Sequence, residues 1–408
     1  MRSLSFPKKD MGPPGRFLGG FPASSLSVAW MEGAHCLMLA QIRGYPLTLL
    51  ALCSRVLGLL MRLTIFTFAT LLPAALLAWG AVYGGWAIWL APVSIGLMWI
   101  AVDQFPDPAD DSEMPVGDNL LILLGFLQLT HLPLGVWALT YNLHGLDWVA
   151  GILGFGLFYG QIGNPASHEL IHRSDRFMTG LGTAVYIGFL FGHHVSAHRF
   201  VHHPYVATPQ DPVSADKGVG FWSFLPKAWY GSFITGYRAE KAMTRRSGRK
   251  RVNPYVFYMA GEGTLLVLAF ALFGLKGLLI YVALCAHTQS QMLVADYVQH
   301  YGLKRRRLAN GKFEPAGPWH AWNSVGWYSS AVTLNAPRHS DHHAHPARPY
   351  PQLTVPEGSA MLPAPLPAMA MLALVPPLWK AVMDKRLAAV LAQHDAAPLP
   401  SAEALLQG

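Results

Sequence analysis

Between positions 64 and 102 the chain carries no Asp, Glu, Lys or Arg, and the same holds for 119–146, 148–167 and 277–295. A helix needs about 20 apolar residues to cross the hydrocarbon layer of a bilayer, so the first run holds two crossings, divided at Gly84 and Gly85. A further apolar segment covers 255–275, with Glu262 near its start. With 52% apolar and only 13% charged residues, the composition also lies outside the range of soluble domains. The expected fold is an all-α integral membrane protein with six transmembrane helices, at roughly 64–82, 85–102, 120–141, 148–164, 255–274 and 277–298.

Charge sets the orientation. Lys8, Lys9, Arg16, Arg43, Arg55 and Arg62 precede the first span, and short basic flanks stay in the cytoplasm. An even number of crossings returns the chain to that side, where Arg245, Arg246, Arg249, Lys250, Arg251 and Lys304–Arg307 also fall. The acidic loop 103–118 lands there too, but acids weigh little in this rule. Residues 181–192 are too short to cross and read as interfacial or re-entrant. The stretch 360–378, broken by Pro363, Pro365, Pro367, Pro376 and Pro377, reads as a surface-lying tail. Three regions follow: 1–60, an N-terminal extension that is disordered or reflects a misassigned start, since Met61 begins a more natural amino terminus; 61–355, the membrane domain; and 356–408, a C-terminal tail. The extension has a basic start but no clean cleavage site for a signal peptide.

Against this apolar background, nine of the 18 histidines are bunched: His168 and His172; His198, His202 and His203; His300; and His339, His342 and His343. Neutral imidazole is the commonest ligand for a redox transition metal, and so many donors suggest more than one ion. His168 and His172, four apart, share one face of a helix, beyond a break suggested by Gly163 and Pro165. His198 and His202 repeat that step, and His203 addresses a second ion or the other side of the first. Cys36, Cys53 and Cys285 are too scattered for a thiolate site. Glu169, Asp341, Asp211 and Asp296 are candidate outer carboxylates that fix the tautomers of ligating rings, against a plain reading as solvated or ion-paired residues. His193, His194, His131, His144, His320, His345, His35 and His394 read as ordinary, and His287 as a membrane-buried hydrogen-bonding residue.

Two metal chemistries fit. His168-Glu169-Leu170-Ile171-His172 matches the zinc-peptidase pattern of two histidines and a general-base glutamate, but a hydrolytic zinc needs only three protein ligands and would leave the other clusters without a task. Many imidazoles without thiolates suit iron that handles dioxygen. A transport or binding role is a third class.

The blocks His168–His172, His198–His203 followed by Val206-Ala-Thr-Pro-Gln-Asp-Pro212, Asp296-Tyr-Val-Gln-His300-Tyr-Gly-Leu303, and Asn335-Ala-Pro-Arg338-His-Ser-Asp-His-His343 resemble those of the membrane alkane 1-monooxygenases and, more remotely, the membrane fatty-acid desaturases. The resemblance covers about 61–355. It implies that all nine histidines bind iron in a cytoplasm-facing di-iron site in the inner membrane of a bacterium. It further implies O2 as co-substrate, an alkane or similar apolar substrate, and electrons from a rubredoxin and its NAD(P)H-linked reductase; an acidic rubredoxin would suit the basic rim. Ala197, Gln299, Asp296 and Ala336-Pro337-Arg338 depart from the usual pattern. They leave the ligands intact but bear on the substrate, since related enzymes hydroxylate methyl groups of xylene or cymene, and a desaturase would use similar ligands. Phe126, Trp137, Phe155 and Phe158 are candidate walls of a substrate channel.

Overall fold

The computed structural model describes residues 47–105, 117–248 and 252–399. Met61–Gly408 form one compact unit. The expectations for residues 1–46, for the acidic residues of 106–116 and for Arg249–Arg251 lie outside the described residues.

Among the described residues the structure is helical, with two isolated β-bridges and no strand. Helix α1 (Leu47–Tyr83) ends where Gly84 and Gly85 take positive φ (64° and 69°), a conformation that side chains with a Cβ resist. α2 (Trp86–Gly96) starts there and is fastened by Asp147, which accepts from the Gly85 N–H (2.9 Å) and Trp89 Nε1 (2.8 Å). α3 (Asp118–Trp137) runs into a π-helical turn at Ala138–Asn142.

The next element changes the expectation of a break. α4 (Gly145–Leu157) widens to a π turn over Phe158–Gly163 and continues as α5 (Asn164–His172), with Gly163 helical (φ −65°, ψ −45°). A proline lacks the N–H that a regular helix needs, and the i→i+5 pattern just ahead of Pro165 accommodates that loss without ending the helix. Glycines on this helix let polar side chains lie against its backbone. A methyl group on Gly156 would overlap the His287 ring, one on Gly160 would meet Gln291, and one on Gly163 would meet Gln128.

α6 (Arg176–Gly188) is capped by Asp175, which accepts from the Met178 N–H at 2.9 Å. It is too short to cross a bilayer and packs on α3 and α5 through Gly125 and Gly182. α7 (His194–Ala197) leads into a third π turn, His198–His202. α8 (Phe221–Ser247) buries Phe221, Phe224, Ala228, Ser232 and Gly236 at helical spacing and exposes Trp222, Trp229 and Tyr237.

α9 (Tyr255–His300) is two helices joined at Gly274 (φ 66°, ψ −170°). Leu63–Tyr83, Asp118–Asn142 and Tyr255–His300 are long and apolar enough to cross a membrane. The other expected spans are interrupted: α2 is 11 residues long, and α4 reaches its length only through the π turn and α5.

Two short helices, α10 (Trp327–Val332) and α11 (His339–Ala344), precede α12 (Leu366–Ala373) and α13 (Pro376–Ala396). The last two correct the expectation of a surface-lying tail. Within 360–378, Ala360, Leu362, Leu366, Met369 and Ala373 are buried, and with the fully buried Trp379, Met383 and Leu387 they form one cluster with Tyr297, Tyr301 and Trp322. Pro367, Pro376 and Pro377 sit in first turns, where a proline costs nothing, so they start helices. Beyond them Trp379, Met383, Leu387, Val390 and His394 form a buried stripe.

Candidate metal centre

The fold gathers all nine bunched histidines into two adjoining groups. His168, His172, His198, His203 and His342 form the first, and His202, His300, His339 and His343 the second; within each group the ligand atoms lie within 4.8 Å of one another. In the first group Nε2 of His172 is 3.1 Å from Nε2 of both His198 and His203, and those two are 2.9 Å apart. Nε2 of His342 is 3.2 Å from that of His203. In the second, Nε2 of His339 is 3.1 Å from those of His300 and His343.

Hydrogen bonds do not account for that triangle. An imidazole nitrogen either donates one proton or accepts through one in-plane lone pair, so three mutually facing nitrogens cannot all be satisfied. Donors about 2.1 Å from one ion, by contrast, stand about 3.0–3.4 Å apart. The donor set therefore fits a metal ion in each group.

The π turn decides which ring serves which group. On a regular helix His198 and His202 would share a face, as the sequence suggests. Here the i→i+5 repeat pairs His198 with His203 and sends His202 to the second group. On the α-helical α11 the four-residue step returns: His339 and His343 face the second group, and His342 faces the first. Adjacent side chains on a helix diverge by about 100°, so His202–His203 and His342–His343 straddle the centre.

Burial keeps these rings neutral, as ligation requires. It lowers the His168 pKa to about 3 and, with neighbouring rings, holds His172, His198, His203, His339, His342 and His343 well below the ordinary value. His202 differs. Burial pushes it down, but the Asp211 carboxylate, 2.8 Å from its Nδ1, outweighs that and raises it.

The outer carboxylates divide. Asp211 bonds a ring of the second group directly. Glu169 accepts instead from Arg173 (3.4 Å) and the Tyr350 N–H (3.0 Å), tying α5 to the loop after α11, so its carboxylate is engaged in structural hydrogen bonds. Asp341 is taken by Arg348, His345 (2.9 Å) and the Thr354 N–H (2.9 Å). Asp296 lines a small cavity with His194, His198, His202 and Asp211. Outside the two groups, His194 stacks on His198 with ring centres 5.0 Å apart. Of the channel candidates, Phe155 and Phe158 are fully buried, whereas Phe126 is 47% exposed and points outward.

Two partners carried no sequence signal because they are backbone carbonyls. His300 Nδ1–H donates to the His320 carbonyl (3.3 Å), and the Ala336 carbonyl accepts from His339. Glu314, His320 and His394 also bring ligand atoms together. His320 Nδ1, however, accepts from the Gly317 N–H (2.9 Å), so its proton sits on the Nε2 that faces Glu314, and Arg306 already pairs with that carboxylate. This third cluster is a hydrogen-bonded clasp.

Apolar helices enclosing two sets of imidazoles, one buried and one part-buried, define a histidine-rich membrane protein, and residues 146–354 match the model of the Fatty acid desaturase family. The chain is 35% identical over 266 residues to Alkane 1-monooxygenase 2 of Pseudomonas aeruginosa, covering 64% of this chain and 70% of that protein. It is 30% identical over 300 residues to Alkane 1-monooxygenase 1 of the same organism, covering 71% and 78%. Identity to the xylene/toluene monooxygenase hydroxylase component of Pseudomonas putida is 28% over 327 residues, covering 75% and 84%. The chain belongs to the alkane monooxygenase family and is an oxidoreductase of the monooxygenase type.

Proposed function

We propose that this protein hydroxylates the terminal methyl group of a medium- or long-chain alkane to a primary alcohol, using O2, two non-haem irons and electrons from a rubredoxin with its reductase. The observation that carries this reading is the pair of imidazole sets, five and four strong, at the end of apolar helices. His168, His172, His198, His203 and His342 would hold one iron, and His202, His300, His339 and His343 the other. Iron bound there would supply dioxygen activation, the chemistry that nitrogen-rich, thiolate-free sites suit.

The chain's own contribution is positional. Asp211 and the carbonyls of His320 and Ala336 orient the rings of His202, His300 and His339 so that their inward nitrogens are free to bind. Burial of His300, His339, His342 and His343 keeps bulk water away. An extended apolar chain that arrives between helices end-on presents its terminal methyl first, so selectivity is geometric. In this reading residues 61–355 are the catalytic region, preceded by the 1–60 extension. The chain crosses a bacterial inner membrane six times, Gly274 separating the last two spans, with the site and the basic rim facing the cytoplasm.

The test is product and metal analysis together. Membranes containing this chain, a rubredoxin and its reductase, fed octane, are expected to yield 1-octanol, and the purified chain about two irons. A methylbenzyl alcohol from xylene with none from octane would transfer the assignment to alkyl-aromatics. An alkene product would make it a desaturase, and a single zinc would remove the oxygenase reading altogether.

A further inference from the structure

We infer that Glu314 is a positioning residue for the second histidine group, acting through His320 on His300, and that α13 anchors it. This rests on the reading of that group as a metal site.

The path is continuous. His300 Nδ1–H donates to the His320 carbonyl (3.3 Å), and Trp322 clamps the residues on either side of His300: its N–H donates to the Gln299 carbonyl (2.7 Å) and its Nε1–H to the Tyr301 carbonyl (2.9 Å). The 320–322 segment therefore sets where His300 points. That segment is held by His320, whose two ring nitrogens are both engaged, one by the Gly317 N–H (2.9 Å) and one by Glu314 (3.1 Å). Glu314 is 2% exposed and is gripped by Arg306 through its N–H (2.7 Å), Nε (3.0 Å) and Nη2 (2.9 Å).

Arg306 then reaches the anchor. Its Nη1 donates to the carbonyls of His394 (3.0 Å) and Ala397 (2.8 Å), at the C-terminal end of α13, where a cation also meets the negative end of the helix dipole. The His394 ring comes within 2.9 Å of Glu314 and stacks on Trp319. Two further ties reach residues next to His300. Tyr301 O–H donates to Asp384 (2.7 Å), and Gly302 (φ 73°) lies so close to Leu387 that a side chain there would collide with it. Among the described residues, none of these hydrogen bonds and ion pairs reaches the first histidine group.

Chelator-driven metal release from the full-length, metal-loaded protein tests this. Asp211→Asn, which acts directly on His202, marks the fraction held by the second group. Glu314→Gln is expected to release that same fraction about tenfold faster, the scale of lost outer partners, with helix content, monodispersity and release of the other fraction unchanged. Release of both fractions alike, or of neither, by a folded Glu314→Gln protein overturns the inference. If that variant does not fold, Arg306→Lys, which keeps the charge but cannot bridge Glu314 and α13, is measured instead: faster release of the same fraction supports the inference, and an unchanged rate overturns it. A wild-type protein that binds no metal would defeat the proposed function itself, a different outcome.

Discussion

Around His168, His172, His198, His203 and His342 the rings are aimed by helix geometry, through the four-residue step of α5 and the five-residue step of the π turn, while Nδ1 of His203 and of His342 has no hydrogen-bond partner among the described residues. Around His202, His300 and His339 the aiming is done by acceptors, Asp211 and the carbonyls of His320 and Ala336, while the fourth ring, His343, has no partner at Nδ1 among the described residues and is aimed by its four-residue step from His339 on α11. The second group thus depends on loops and on the C-terminal helices that brace them, and the first on the regularity of the helices it grows from. Nearly identical donors can be pre-organised in these two ways, and damage reaches them by different routes.

Ligand removal should show the largest effect and the least difference between the halves. His342→Ala and His339→Ala are each expected to lower hydroxylation more than about 100-fold, beyond the range for outer partners, with metal content reporting which fraction is lost. Unchanged activity in either variant would break the assignment of the group to which that histidine belongs. Asp211→Asn should sharpen the contrast, weakening metal affinity about 10–100-fold at the second group alone, as read by competitive titration. Leu387→Ala, in the packed face of α13, is expected to cost about 2–5 kcal/mol of stability in thermal or denaturant unfolding and to loosen the second group before the first; a parallel loss at both would contradict the brace.

The smallest effect concerns acid. Burial alone would raise the Glu314 pKa, but hydrogen bonds from His320 and Arg306 outweigh it and hold the carboxyl well below its usual range. A carboxyl depressed in the folded state stabilises above its unfolded pKa, about 4.3, and that stabilisation is lost as pH falls. Protection of the α13 amides against hydrogen exchange, corrected for the intrinsic pH dependence of exchange, is accordingly expected to fall below about pH 4.3 in the wild type and to stay flat with pH in Glu314→Gln. A wild-type profile as flat as the variant's would show that Glu314 does not hold the helix.

Much of the centre was legible because imidazole clusters in a chain this apolar have few other uses: the nine residues picked out by spacing are the nine the fold collects. Their division into five and four was not legible, because it depends on a π turn at His198–His202 that leaves no mark on spacing. Glu169 misled through its neighbours, since adjacency to His168 says nothing about which side of α5 it faces. His320 and Ala336 were invisible as partners because every residue has a carbonyl. The C-terminal stripe was hidden by prolines that punctuate the sequence before Trp379 and look like breakers, though they initiate helices.

His202 and His203 are covalent neighbours that serve opposite groups, and so are His342 and His343. Any backbone shift that retracts one ring drags its neighbour on the other side, so the spacing between the two sets is fixed by two peptide linkages as well as by packing. The centre is yoked: a backbone movement that displaces one half carries a ring of the other half with it. Retuning for a new substrate is left to the surrounding helices.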